Sequence, residues 1–334
     1  MLSFSQHFFE TETREDFVVD STMKTFWAAQ MEVLREVSEV CERHGIQWYS
    51  AYGTLLGAIR HKGYIPWDDD MDIWMFREDY DRFMKLATLE LPEEYIVRSA
   101  LTDVGYTQFH SCVFNASSIS INPDRLKKFH GCPFATGIDI FPLDFLPDNN
   151  EEKEAEKELF NLIWTVIDKI KAKERKKADY DNIYLGLNTI EEICNIKFQR
   201  EWLDTEKQDE LISNLYKLQN QLCASYGEKD GHIVTVYTGY VKRPQRVFEK
   251  KWFDKVELYP FEEIMIPIPT EYDKILTTIY GNYEIRQKFE GSHDYPLYKK
   301  QVEHLRDCVG TLEEKYEKVQ KLISEARQRE FEEE

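Results

Sequence analysis

The stretch that decides the fold is Gly53-Thr-Leu-Leu-Gly-Ala-Ile-Arg60-His-Lys62-Gly-Tyr-Ile-Pro-Trp67-Asp68-Asp69-Asp70-Met71-Asp72-Ile-Trp-Met-Phe76. It joins a glycine-led helical segment to four aspartates that run straight into an apolar strand. Side chains alternate faces along a strand, so Asp68, Asp70 and Asp72 are expected on one side and Asp69, Met71 and Ile73 on the other. Carboxylates gathered in one small volume repel and raise one another's pKa unless a cation neutralises them. Hard oxygen donors favour Mg²⁺ or Mn²⁺. A calcium-binding EF-hand loop is excluded by position: counting from Asp68, the obligatory glycine at position 6 is Ile73.

Outward from this stretch, Gly137-Ile-Asp139-Ile-Phe-Pro-Leu-Asp144 sets one carboxylate, Asp139, inside an apolar strand. An unpaired charge there would cost several kcal/mol, so Asp139 is expected to face a cation or a donor. Upstream, apolar residues recur at helical spacing from Arg14 to His44, as one long helix or one broken near Ser21, and Gly45 suits a helix stop. Ile46–Tyr52 reads as a strand, with Thr54 capping a short helix from Leu55 to His61. A second strand is expected from Pro66 to Phe76, and a helix from Arg77 to Leu91.

Short strands are expected at 95–101, 106–114 and 117–122, and one at 138–141 ended by Pro142. Residues 151–226 are charged, helical in pattern and almost free of proline and glycine, which predicts two to four helices. Strand composition returns at 233–240 and 262–269. A helix follows at 271–280, and a long amphipathic one at 298–329. The expected organisation is a core of residues 1–147 with an N-terminal helix, a helical lobe at 148–230, the rest of the core at 231–297 and a terminal helix at 298–334.

Composition narrows the function. The 334 residues hold 43 Lys plus Arg against 62 Asp plus Glu, a net charge of −19, which argues against coating nucleic acid. No stretch approaches the roughly 20 apolar residues of a membrane span, and the N-terminus lacks a basic, then apolar leader. The chain therefore reads as cytosolic. Its six scattered cysteines form no C-x-x-C pair and are read as buried thiols.

The G-[ST], D-x-D and apolar-D-apolar arrangement resembles the nucleotidyltransferase superfold. The longer string from Gly53 to Asp72 resembles the signature of the LicD/fukutin family. Asp139-Ile-Phe-Pro-Leu-Asp144, Ile268-Pro-x-x-Tyr272 through Gly281, and His293-Asp-Tyr295 agree with it more loosely. The resemblance implies an α/β (α+β) fold: a nucleotidyltransferase-like mixed sheet with flanking helices, here with a large helical insertion. It also implies transfer of a phospho-alcohol, typically phosphocholine, from a CDP-activated donor such as CDP-choline to a hydroxyl of a glycan, with release of CMP.

On that implication Asp70, Asp72 and Asp139 are the catalytic residues and the ligands of about two Mg²⁺ or Mn²⁺ ions. Asp139 would also accept the acceptor's proton. Gly53 and Thr54 would offer helix N–H groups to phosphate, Arg60 a bidentate fork and Lys62 a point charge. Trp67, with Trp48, Tyr49, Tyr52 and Trp74 nearby, could face a quaternary ammonium through cation–π attraction. His293 is carried over from the family pattern. The acceptor would be a cell-surface glycan precursor, soluble or lipid-linked, met at the inner membrane face. A D-x-D glycosyltransferase using a sugar nucleotide is the alternative, although it leaves Gly53, Thr54 and Asp139 without tasks. A non-enzymatic binding protein would have no reason to keep all three carboxylates.

Overall fold

The computed structural model describes residues 1–172, 174–288, 295–309 and Lys321. The chain opens with a hairpin, β1 (Glu12–Arg14) and β2 (Phe17–Val19), and enters α1 (Ser21–His44). The Asp20 side chain accepts from the Met23 N–H at 2.8 Å, which fixes the first turn. Gly45, at φ +59°, ends the helix where a side chain would be strained. The expected helix from Arg14 is thus shortened, because residues 12–19 pair as strands.

β3 (Tyr49–Ser50), α2 (Tyr52–His61), β4 (Asp72–Phe76) and α3 (Arg77–Glu90) follow. β3 and β4 are antiparallel, Tyr49 opposite Trp74 and Ser50 opposite Ile73. The second strand was expected from Pro66 and instead begins at Asp72. Residues 68–71 form a loop whose backbone is held by α1: Trp27 Nε1 donates to Asp68 O at 3.2 Å and Gln30 Nε2 to Asp69 O at 3.0 Å. With their carbonyls satisfied by side chains, these residues need no strand partner.

Next come β5 (Ile96–Arg98), β6 (Ser111–Phe114), α4 (Pro123–Lys128) and β7 (Gly137–Leu146). The strand expected at 117–122 is irregular chain ahead of α4, whose first turn is capped by Asn122. β7 runs past Pro142, which precedes the residues that pair with the next strand and so withholds no N–H from that ladder. α5 (Asn150–Lys171), α6 (Lys177–Cys194) and α7 (Gln208–Cys223) fulfil the helical expectation for 151–226. β8 (Ile233–Thr235) is shorter than expected, because residues 237–242 coil into α8 (Tyr237–Lys242). β9 (Phe248–Glu249), β10 (Val256–Phe261), β11 (Ile264–Pro269), α9 (Tyr272–Tyr280) and α10 (Lys299–Val309) complete the order. The part of the terminal helix expected beyond 309 lies outside the described residues.

The chain divides into two compact units. The first comprises residues 1–97, 112–140 and 255–334. Its sheet runs β3, β4, the start of β7, then β6, and its β10–β11 hairpin is separate. Trp27 stacks on Tyr64 at 4.4 Å, and Phe134 on Tyr298 at 5.1 Å, in its core. The second comprises residues 98–111 and 141–254. There the end of β7 pairs antiparallel with β8, and β8 with β9. Ile163, Ile167, Leu187, Ile190, Leu211 and Leu215 interlock among its three long helices.

Candidate active site

All the described candidates for the site lie in the first unit. Asp68, Asp70, Asp72 and Asp139 come together. Burial, and then the Asp70 charge, push the Asp68 carboxyl well above the usual carboxylate range, and the Asp68 and Asp70 carboxyls share a hydrogen bond. Asp72 is raised in the same way by burial and by Asp70, Asp139 and Asp68. The alternation expected of the acidic run thus holds in outcome although residues 68–71 are a loop. Asp69 points elsewhere and accepts the Leu297 N–H at 2.6 Å.

Asp139 reaches the cluster because its N–H donates to Met71 O at 2.9 Å, which sets β7 beside the end of the acidic loop. The Cys112 thiol, on β6, donates to Asp139 Oδ1 at 2.8 Å. Cys112 is a site residue that the sequence reading missed, having been grouped with the inert buried thiols. Asp68 was placed on the correct face but given no role.

Gly53 and Thr54 sit at the start of α2, against the cluster. A Cβ on Gly53 would collide with the Asp68 carboxylate, so the glycine makes room for that carboxylate. Thr54 does not cap the helix: α2 begins two residues earlier, at Tyr52, behind Ala51, whose side chain supplies no cap. The Thr54 hydroxyl instead accepts the Asp72 N–H at 2.8 Å and so fixes where the cluster meets its strand.

The remaining candidates lie away from these. Arg60 and Lys62 occupy the other end of α2, about 10 Å along the axis from Gly53 at 1.5 Å per residue. Arg60 Nη1 donates to Tyr283 O at 2.9 Å. Lys62 closes the helix at φ +54° and lines a cleft of about 210 Å³ with Arg14, Lys24 and Glu262. Trp67 Nε1 donates to Gln287 O at 3.0 Å, and the Lys288 ammonium lies 5.2 Å from the centre of its ring. Of the other aromatics, Trp48, Tyr49 and Trp74 are buried in the core. His293 lies outside the described residues.

The donor set suits a hard divalent cation. Four carboxylates crowd together, and two are driven toward neutrality by burial and mutual repulsion, the cost that a bound cation removes. Asp68, Asp70, Asp72 and Asp139 are the carboxylates that would hold it; among the described residues, donor atoms of His110, Cys112 and Asp139 also lie within 4.8 Å of one another.

Residues 45–156 match the family described as LicD/FKTN/FKRP, nucleotidyltransferase domain. The chain is 27% identical over 256 residues to the lipopolysaccharide cholinephosphotransferase LicD of Haemophilus influenzae, covering 76% of this chain and 88% of that one. It is 43% identical over 62 residues to the ribitol 5-phosphate transferase FKRP of Homo sapiens, covering 19% of this chain and 12% of that one. The mouse FKRP matches at the same identity over 13% of its length. The matched stretch spans α2, the acidic loop and the Asp139 strand, and over it the chain is similar to the LicD/fukutin family.

Proposed function

We propose that the protein transfers a phospho-alcohol, most simply phosphocholine, from a CDP-activated donor to a hydroxyl of a glycan precursor and releases CMP. The observation that carries this reading is the convergence of Asp68, Asp70, Asp72 and Asp139 beside the start of α2. Phosphoryl transfer asks chiefly for positioning and for neutralised oxygens, which is what such a cluster is suited to provide. Divalent metal held by Asp70, Asp72 and Asp139 would supply that neutralisation to the diphosphate.

The chain's own groups do the rest. The first turn of α2 carries backbone N–H groups, and no side chain caps it, so it can face a phosphate oxygen. Thr54 holds the Asp72 backbone in place. Asp139, oriented by the Cys112 thiol, accepts the proton of the acceptor hydroxyl as its oxygen attacks phosphorus and the CMP oxygen departs. The glycosyltransferase alternative gives Thr54 and Asp139 no comparable work. No described helix is long and apolar enough to cross a membrane. A cytosolic enzyme would meet a soluble or lipid-linked acceptor at the inner membrane face.

The test is a donor panel of CDP-choline, CDP-ethanolamine, CDP-glycerol, CDP-ribitol and UDP-glucose, scored by thermal stabilisation and by CMP or UDP release with and without Mg²⁺. Metal-dependent CMP release from a CDP-alcohol is expected. A response to UDP-glucose alone would overturn the reading.

A further inference from the structure

At the far end of α2 a second set of charges converges on one carboxylate. Glu15 sits at the tip of the β1–β2 hairpin. Its Oε1 lies 3.1 Å from Arg286 Nε and 3.3 Å from His61 Nε2, and its carbonyl accepts from Lys288 Nζ at 3.0 Å. Arg60 is beside them: its Nη1 is fixed on Tyr283 O, while its Nε is buried without a hydrogen-bond partner among the described residues. Burial, and then the neighbouring Arg286 charge, disfavour the charged Arg60 guanidinium, while Glu15 and Glu284 favour it.

The hairpin tip is itself strained. Glu15 and Asp16 both take left-handed backbone angles, φ 49° and 60°, in a two-residue turn that ordinarily uses Asn-Gly. The β1–β2 pairing, with Arg14 opposite Phe17, holds Glu15 at that tip, where its side chain faces the cations. Lys288 also covers the face of Trp67, which precedes Asp68 directly, so the basic cluster is linked to the acidic site through one side chain.

We propose that Arg60, Arg286 and Lys288, with His61 beside them, form a binding site for a phosphoryl group, and that the Glu15 carboxylate, which rests on Arg286 and His61, competes for that site as a built-in surrogate anion. Guanidinium forks match phosphate oxygens as they match carboxylates. In a chain of net charge −19 a phosphorylated ligand needs such a local reversal of sign. The site rests on the transfer reading only for the source of its phosphoryl group, which is the donor diphosphate or a phosphate on the acceptor.

The test uses the full chain without added metal or nucleotide and titrates inorganic phosphate by calorimetry. Saturable binding is expected in the wild type. Glu15→Gln should tighten it, and Arg286→Gln should weaken it, each by about fivefold or more, the worth of one charge-assisted contact. Circular dichroism and melting curves establish that both variants are folded. Competition between phosphate and CDP-choline would assign the site to the donor. Independent binding of CDP-choline, with competition from a sugar phosphate, would assign it to the acceptor. No saturable binding, or affinities within twofold in both variants, would overturn the proposal. Absence of CMP release in the donor panel would leave this result standing, so the two readings fail separately.

Discussion

The Thr54 hydroxyl oxygen accepts the backbone N–H of Asp72 across 2.8 Å, tying the first turn of α2 to the residue where the acidic loop becomes a strand. Both residues are buried, so the N–H has no water to fall back on. Thr54→Val keeps the shape and removes the acceptor. It should cost about 1–3 kcal/mol of stability, the penalty for an unsatisfied buried donor, and should lower kcat. Thr54→Ser keeps the acceptor and should retain most of both. Urea unfolding and CMP release, measured side by side, check this.

Gly53 leaves the space that the Asp68 carboxylate fills. Gly53→Ala should displace that carboxylate rather than unfold the chain, because the colliding atom is the end of a side chain. Divalent-metal affinity should fall about tenfold, as for other residues that support metal ligands, with a near-normal melting temperature. Unchanged Mn²⁺ affinity by calorimetry would separate Gly53 from the cluster.

Cys112 orients Asp139 through its thiol hydrogen bond. Cys112→Ser retains a donor, whereas Cys112→Ala does not. The alanine variant should lose about tenfold in kcat and the serine variant should recover most of it, since supporting hydrogen bonds typically carry effects of that size. A purely packing role would leave the two variants equally impaired.

In the second unit, burial raises the Glu156 carboxyl to about 7; the nearby Tyr237 hydroxyl opposes the rise and the Asp144 charge adds to it. An unfolded glutamate titrates near about 4.3, so between these values the folded chain holds a proton that the unfolded chain has lost. The resulting stability is fully present below about pH 4 and is lost as pH rises through about 7, roughly 3 kcal/mol in all. The midpoint of urea unfolding should therefore be higher at pH 5 than at pH 8. Glu156→Gln should flatten the difference, and an equal pH dependence in the variant would refute the assignment.

Much of this was legible in the chain. Gly45 marks the end of α1 by cap chemistry and the aspartate spacing foretold which carboxylates meet, whereas the helix was expected from Arg14 and its Asp20 cap went unread. The strand expected over Pro66–Phe76 was cut back by a relation no local pattern contains: Trp27 and Gln30, some forty residues upstream, satisfy the loop's carbonyls. Cys112 carries no periodic or spacing signal, and its role appears only when β6 lies beside β7. Arg60 and Lys62 looked close to the aspartates in sequence, but a helix of ten residues carries them to its opposite end.

The central claim is that the buried carboxylates act together with divalent metal in releasing CMP from a CDP-alcohol. The most direct measurement is Mg²⁺-dependent CMP release by Asp72→Asn against the wild type, with each protein's melting temperature taken in metal-free buffer. The account predicts that turnover is lost while the variant melts no lower than the wild type, because burial and three neighbouring carboxylates hold the Asp72 carboxyl well above the usual range. A folded Asp72→Asn protein that releases CMP at the wild-type rate would contradict it.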